Sequence, residues 1–163
     1  MKILRFERNN EAVAWAKKVI GLDGLTGDVT TVSLVDDAGE FVAVTVFSAY
    51  TGNNLDVHIA ARPRAHWPFR SFYRASFEMP FMVLEVQRVT GLIRAENLKA
   101  QRFVTRLGFQ YEGRMRKAFP DGGDLTLYGL LREDYLKHPW SKYETTRGTT
   151  LSQGGLPCDK GPA

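Results

Sequence analysis

The chain has 163 residues, with 22 Lys and Arg against 18 Asp and Glu and 44% hydrophobic residues, which describes one globular domain able to bury roughly 70% of the surface its unfolded chain exposes. The single cysteine, Cys158, has no partner within the chain, so a disulfide framework is excluded, and no Cys and His pair stands at zinc-ligand spacing, so no metal is expected. No apolar run reaches the ~18 residues that span a bilayer, and residues 1–8 are too densely charged for a signal peptide, which makes the cytoplasm the expected location.

In chain order, residues 2–6 predict a short strand, and Asn9 and Asn10 the cap of a helix carrying Val13, Ala16 and Ile20 at helical spacing. A Gly- and Asp-rich connection over residues 21–28 leads to a β-branched run, 31–35, and a turn cluster at 36–40. The apolar run 41–47 turns at 51–54 into 55–59, where Leu, Val and Ile alternate with Asp and His. These three strands predict an antiparallel meander whose last member has a polar face.

At Trp67 the period changes. Phe69, Phe72, Tyr73, Phe77 and Pro80 recur along one helical face, with Pro68 in the first turn and Pro80 as the stop. Residues 83–95 return to strand character. Asn97 then caps a helix carrying Ala100, Phe103, Val104 and Leu107, closed by Gly108. Residues 109–117 and 124–131 predict two last strands joined by the turn Phe119-Pro120-Asp121-Gly122-Gly123. The fold class is α/β (α+β), with a folded domain over residues 1–138 and a polar tail over 139–163, too poor in large apolar side chains to fold alone.

The basic excess is local. Between Arg62 and Lys117 there are 12 Lys and Arg and 4 Asp and Glu, a net of +8, while the rest of the chain is net −4. A positive central third points to a phosphate-bearing partner, either a phosphorylated cofactor or a nucleic acid backbone.

The segment Asn97-Leu98-Lys99-Ala100-Gln101-Arg102-Phe103-Val104-Thr105-Arg106-Leu107-Gly108-Phe109-Gln110-Tyr111-Glu112-Gly113 resembles the second signature of the GCN5-related N-acetyltransferase superfamily: Asn, a small residue three further on, a helix, then Leu-Gly-Phe and Glu-Gly. Residues 88–96 look like the family's fifth strand and residues 127–135 like its closing strand. The resemblance is nearest to the branch of ribosomal-protein N-terminal acetyltransferases and its small phage-encoded relatives. It implies a mixed, mainly antiparallel central sheet with helices on both faces. It also implies acetyl-CoA as donor and a primary amine, on a small molecule or peptide, as acceptor.

Carried over position by position, the resemblance lays the pantetheine arm along Val57, Ile59, Ala60 and Ala61, in an opening between the fourth and fifth strands. The diphosphate falls to Arg62, Arg64, His66 and Trp67, and further cofactor contacts to Asn97, Arg102 and Phe103. Two positions depart from the family pattern. The loop Ala60-Ala61-Arg62-Pro63-Arg64-Ala65-His66-Trp67 holds no glycine, so side-chain charge replaces close backbone approach, and Val104 stands where many members carry a tyrosine acid.

Asp56 and His58 lie two apart on a strand and so share a face, which sets an imidazole beside a carboxylate where the acyl group would sit; His58 is the leading base. Tyr128 is a third catalytic candidate, as a proton relay. Direct attack on the thioester is expected, since no activated Cys, Ser or Lys is visible. The alternative is a catalytically inactive module on the same fold that binds nucleic acid or protein through the basic residues 62–117, where Arg64, Trp67, Arg70, Tyr73 and Arg74 interleave charge with rings. A monomer or a homodimer is expected, with no membrane partner.

Overall fold

The computed structural model describes residues 1–21, 25, 27–65 and 68–141. His66, Trp67, Cys158 and residues 142–163 of the predicted tail lie outside the described residues. Seven strands form one sheet: β1 (Lys2–Arg5), β2 (Thr30–Val35), β3 (Phe41–Ser48), β4 (Asn54–Ala61), β5 (Arg88–Arg94), β6 (Gln110–Met115) and β7 (Leu125–Leu131), in the order β1-β2-β3-β4-β5-β7-β6. All neighbours are antiparallel except β4 and β5. The expected meander is β2, β3 and β4.

Among the described residues, four α-helices cover the sheet: α1 (Asn9–Ile20), α2 (Phe69–Glu78), α3 (Leu98–Arg106) and α4 (Arg132–Lys137). On one face, Ala12 and Ala16 of α1 pack on Val44, Val46 and Ala60. On the other, Phe72, Tyr73 and Phe77 of α2 and Tyr135 of α4 join Val57, Val89 and Leu130, with Phe103 and Val104 of α3 packed against them. Helices thus lie on both faces. Alternation along β4 follows: Leu55, Val57 and Ile59 serve the α2 face, while Asp56, His58 and Ala60 turn toward α1.

Three local details differ from expectation. The residue before α1 is Arg8, in the left-handed region with φ 52° and no side-chain capping bond; Asn9 is the first helical residue, and its Nδ2 donates to the Val29 carbonyl at 2.9 Å. Pro80 does not stop the helical path after α2. Without an N–H it cannot continue α-helical bonding, and the chain widens into a π turn over Met79–Val83, closed by the Leu84 N–H on the Met79 carbonyl at 3.0 Å. Burial of Met79 and Phe81 holds that turn in place. Nothing in the sequence announces α4, because six residues are too few to display a helical period.

Asn97 caps α3 as expected, its Oδ1 accepting from the Ala100 N–H at 3.1 Å, a contact worth about 1 kcal/mol. Gly108 follows α3 with φ +97°, a conformation glycine adopts without penalty.

Candidate active site

β4 and β5 run parallel but stay in register for three pairs only: Asn54 with Arg88, Leu55 with Val89, and Asp56 with Thr90. Beyond them, residues 57–61 of β4 have no partner on the β5 side, whereas β5 continues paired to β7 up to Arg94. The sheet therefore opens at the C-terminal ends of its two parallel strands, the place where open α/β sheets expose backbone groups to a ligand. The backbone of Val57, Ile59, Ala60 and Ala61 lines this opening.

His58 is the first residue past the last pair whose side chain faces α1, across from Val46 on β3. Neither ring nitrogen has a hydrogen-bond partner among the described residues. Burial lowers its pKa below the ordinary histidine value, against a smaller opposing pull from Asp56, so the imidazole is kept neutral, with a ring nitrogen open to a proton. Asp56 is half-buried and forms no ion pair among the described residues; its one contact is a 3.5 Å approach from Asn54 Nδ2. Burial raises its pKa, opposed by Asn54, His58 and Arg88.

A polar clasp that sequence reasoning missed locks the closed end of the opening. Thr90 Oγ1 donates to Asn54 Oδ1 at 2.7 Å, Arg88 Nη2 to Thr90 Oγ1 at 3.1 Å, and Arg88 Nη2 to Glu112 Oε2 at 2.7 Å. A register slip between Tyr111 and Gly113 brings the Glu112 carboxylate over Gly129, whose missing side chain leaves the room. The signal in the sequence is Gly129 inside an otherwise apolar strand.

The other expected site residues are placed as follows. The Arg62 guanidinium turns away from the opening, bonded to Asp36 Oδ2 at 3.2 Å and to the Phe41 carbonyl at 2.8 Å. Arg64 is exposed, with φ 58° and no partner among the described residues. The first turn of α2 follows Pro68 with no side-chain bond from Pro68 and no acidic residue, so the positive end of the helix dipole stands without a carboxylate on its own first turn. Phe103 meets Phe69 edge-on at 5.6 Å, closing the seam between α2 and α3 over a void of about 10 Å³. Tyr128 lies on the face opposite His58 and donates to Gln101 Oε1 at 3.1 Å, so the structure does not bring it to His58. Arg102 lines a groove between α3 and Tyr128.

Superposition on solved structures completes this picture. The chain matches spermidine/spermine N-acetyltransferase SpeG from Vibrio cholerae with a TM-score of 0.64 and 14% identity, over 83% of this chain and 95% of that one. A point variant of that enzyme gives 0.67 and 13% identity, over 83% and 98%. The chain has the GCN5-related N-acetyltransferase fold. Ribosomal-protein-S5-alanine acetyltransferase from Vibrio fischeri shares the fold at a TM-score of 0.56 and 17% identity, over 66% and 63%. No family model and no curated protein sequence matches the chain. Among the described residues no helix is long and apolar enough to cross a membrane, and no group of three His, Cys, Asp or Glu could hold a metal.

Proposed function

We propose that this chain is an N-acetyltransferase that moves an acetyl group from acetyl-CoA to a primary amine by direct attack on the thioester. The observation that carries the reading is the three-pair limit of β4 and β5, with an unpartnered, half-buried His58 at the first α1-facing position beyond it.

The residues present fit the donor. The unpaired β4 edge at residues 57–61 offers backbone groups to an extended arm, and the positive end of the α2 dipole, with exposed Arg64 before it, offers charge to a diphosphate. The seam needs Phe69 and Phe103 to part, a change of side-chain rotamer rather than of fold. Acetyl-CoA, when bound, supplies an activated acyl carbon. A neutral ring nitrogen of His58 takes one proton from the acceptor's ammonium and passes it to solvent, freeing the nitrogen lone pair for attack on the acyl carbon. The N–H groups of the β4 edge stabilise negative charge on the carbonyl oxygen, and as the carbon–sulfur bond breaks the thiolate leaves with the second proton shed by the new amide nitrogen. Asp56, a half-buried carboxylate with no ion pair among the described residues, holds the acceptor's ammonium beside His58 and balances the imidazolium that forms. A cationic amine suits this arrangement, and spermidine, an acceptor in the name of the superposed SpeG enzyme, is of that kind.

Acetyl-CoA at ~100 times its dissociation constant is expected to stabilise the fold by ~2.7 kcal/mol, a rise of about 5–10 °C in Tm by scanning calorimetry. An unmoved transition in saturating acetyl-CoA overturns the reading.

Asp56 gives a second test with opposite signs in function and stability. Its folded-state pKa lies above that of the unfolded chain, so the folded form binds the extra proton, and stability falls as pH rises from the ordinary carboxylate value through the raised one. At pH 7 the charge is a net cost. Asp56→Asn is therefore expected to raise Tm while raising KM for the amine about tenfold or more. A lower Tm with an unchanged KM removes Asp56 from acceptor binding.

A further inference from the structure

The outer flank of α3 lies outside the opening beside β4, and Arg102, which the resemblance assigned to the cofactor, stands on this flank instead. Leu98, Gln101, Arg102, Thr105 and Arg106 line, with Tyr128 on β7, an open groove of about 380 Å³. β5 separates it from the opening beside β4, and the Phe103 side of α3 faces the seam instead. No carboxylate lines the groove. Lys99, Arg102 and Arg106 have no acidic partner among the described residues, in contrast to Arg94, bound to Glu96 and Asp121, and Arg114, bound to Asp124.

The floor is built rather than soft. Gln101 Nε2 donates to the Ala95 carbonyl at 2.7 Å, and its Oε1 accepts from Tyr128, so amide and phenol hold each other in place. Tyr111 of the edge strand β6 stands edge-on to Tyr128 at 5.6 Å between centroids, yet is 58% exposed. α3 buries no residue fully and leaves Leu98 57% exposed.

We propose that this groove is a second ligand site that seats a single-stranded nucleic acid, with phosphates on Arg102 and Arg106 and a base against Tyr111. Charge complementarity selects a polyanion, because two unpaired guanidinium groups and a lysine face solvent with no acid between them. The exposed ring selects a strand with accessible bases over an acidic peptide or a duplex, since a base can stack only where it is not already paired and stacked. The volume is that of about one nucleotide, so neighbouring residues of the strand lie along α3 toward Lys99. This inference stands apart from the transferase reading and does not require it.

The test is fluorescence anisotropy of a short labelled oligouridylate strand at low and moderate salt. The wild-type protein is expected to bind, with affinity falling as salt rises. Arg102→Glu and Arg106→Glu are each expected to weaken binding about tenfold or more and to flatten the slope of log affinity against log salt by ~0.7 for each phosphate no longer neutralised. Tyr111→Ala is expected to weaken binding roughly five- to hundredfold. All three side chains are exposed, so Tm checks that the variants remain folded. Absence of binding at low salt overturns the proposal, as does binding that the three variants leave unchanged. Equal affinity for a duplex removes the base contact, and tighter binding of a poly-glutamate peptide reassigns the groove to a protein partner. Displacement of the strand by coenzyme A in a one-to-one titration would place it in the donor opening instead.

Discussion

His58→Ala is expected to lower kcat by about 10²-fold or more, with little change in the dissociation constant for acetyl-CoA, because the proposed role of the imidazole is toward the amine and not the donor's nucleotide. The pH dependence separates a base from a merely structural side chain. Burial lowers the His58 pKa, so the wild-type rate is expected to show an acid limb that falls below the ordinary histidine value of about 6.5. In the variant that limb disappears. His58→Gln, which keeps the size and a hydrogen-bonding end, is expected to behave as the alanine does. Steady-state kinetics from pH 5 to 9 decide the matter, and a variant retaining both rate and acid limb excludes His58 as the base. Linkage gives the same residue a stability signature. With a lowered folded-state pKa the unfolded chain binds more protons, so this contribution raises stability as pH increases through the window between the folded value and the ordinary one.

The largest effect on stability is expected at Phe77. It is 1% exposed and touches four rings: Tyr73 at 4.8 Å, Phe109 at 5.8 Å, Tyr135 at 6.3 Å and Phe81 at 6.4 Å between centroids. These rings come from α2, the π turn, the residue before β6 and α4, so one side chain ties together the elements packed on that face. Phe77→Ala is expected to cost about 3–5 kcal/mol, a drop of roughly 10 °C or more in Tm. Phe77→Leu, which keeps most of the volume, is expected to cost less than half as much. Chemical denaturation measures both; a loss under ~1 kcal/mol for the alanine variant would mean that the surrounding rings collapse into the space.

The order of elements was legible because it is written in local signals: alternation from Leu55 to Ile59, helical spacing from Phe69 to Phe77, the cap at Asn97 and the turn at residues 119–123. These depend on neighbours within a few residues, so the sequence displays them directly. Pro80 misled for the opposite reason. Its missing N–H is a local fact, but the π turn that absorbs it is held by burial of Phe81 against distant rings. The same division runs through the site. The shared face of Asp56 and His58 follows from strand period alone. The clasp from Asn54 through Thr90 and Arg88 to Glu112 joins separate strands and rests on a register slip near Glu112, which no local pattern announces. Arg62 looked free for a diphosphate because its carboxylate partner, Asp36, lies 26 residues earlier in the chain.

Only three ladder pairs join β4 to β5, beside the clasp from Asn54 through Thr90 to Arg88 and the core that α2 packs across both halves. The sheet is thus two leaves sharing a short spine, and the spine is a weak boundary at which local opening costs less than unraveling either leaf. Amide hydrogens of residues 54–56 and 88–90 are expected to exchange sooner than those in the middle of β3. Any occupant wedged past Asp56 gains backbone contact with one leaf and side-chain contact with the other, so it rivets them together. Occupancy at the hinge line is then felt by the whole molecule as added rigidity, well beyond the residues it touches.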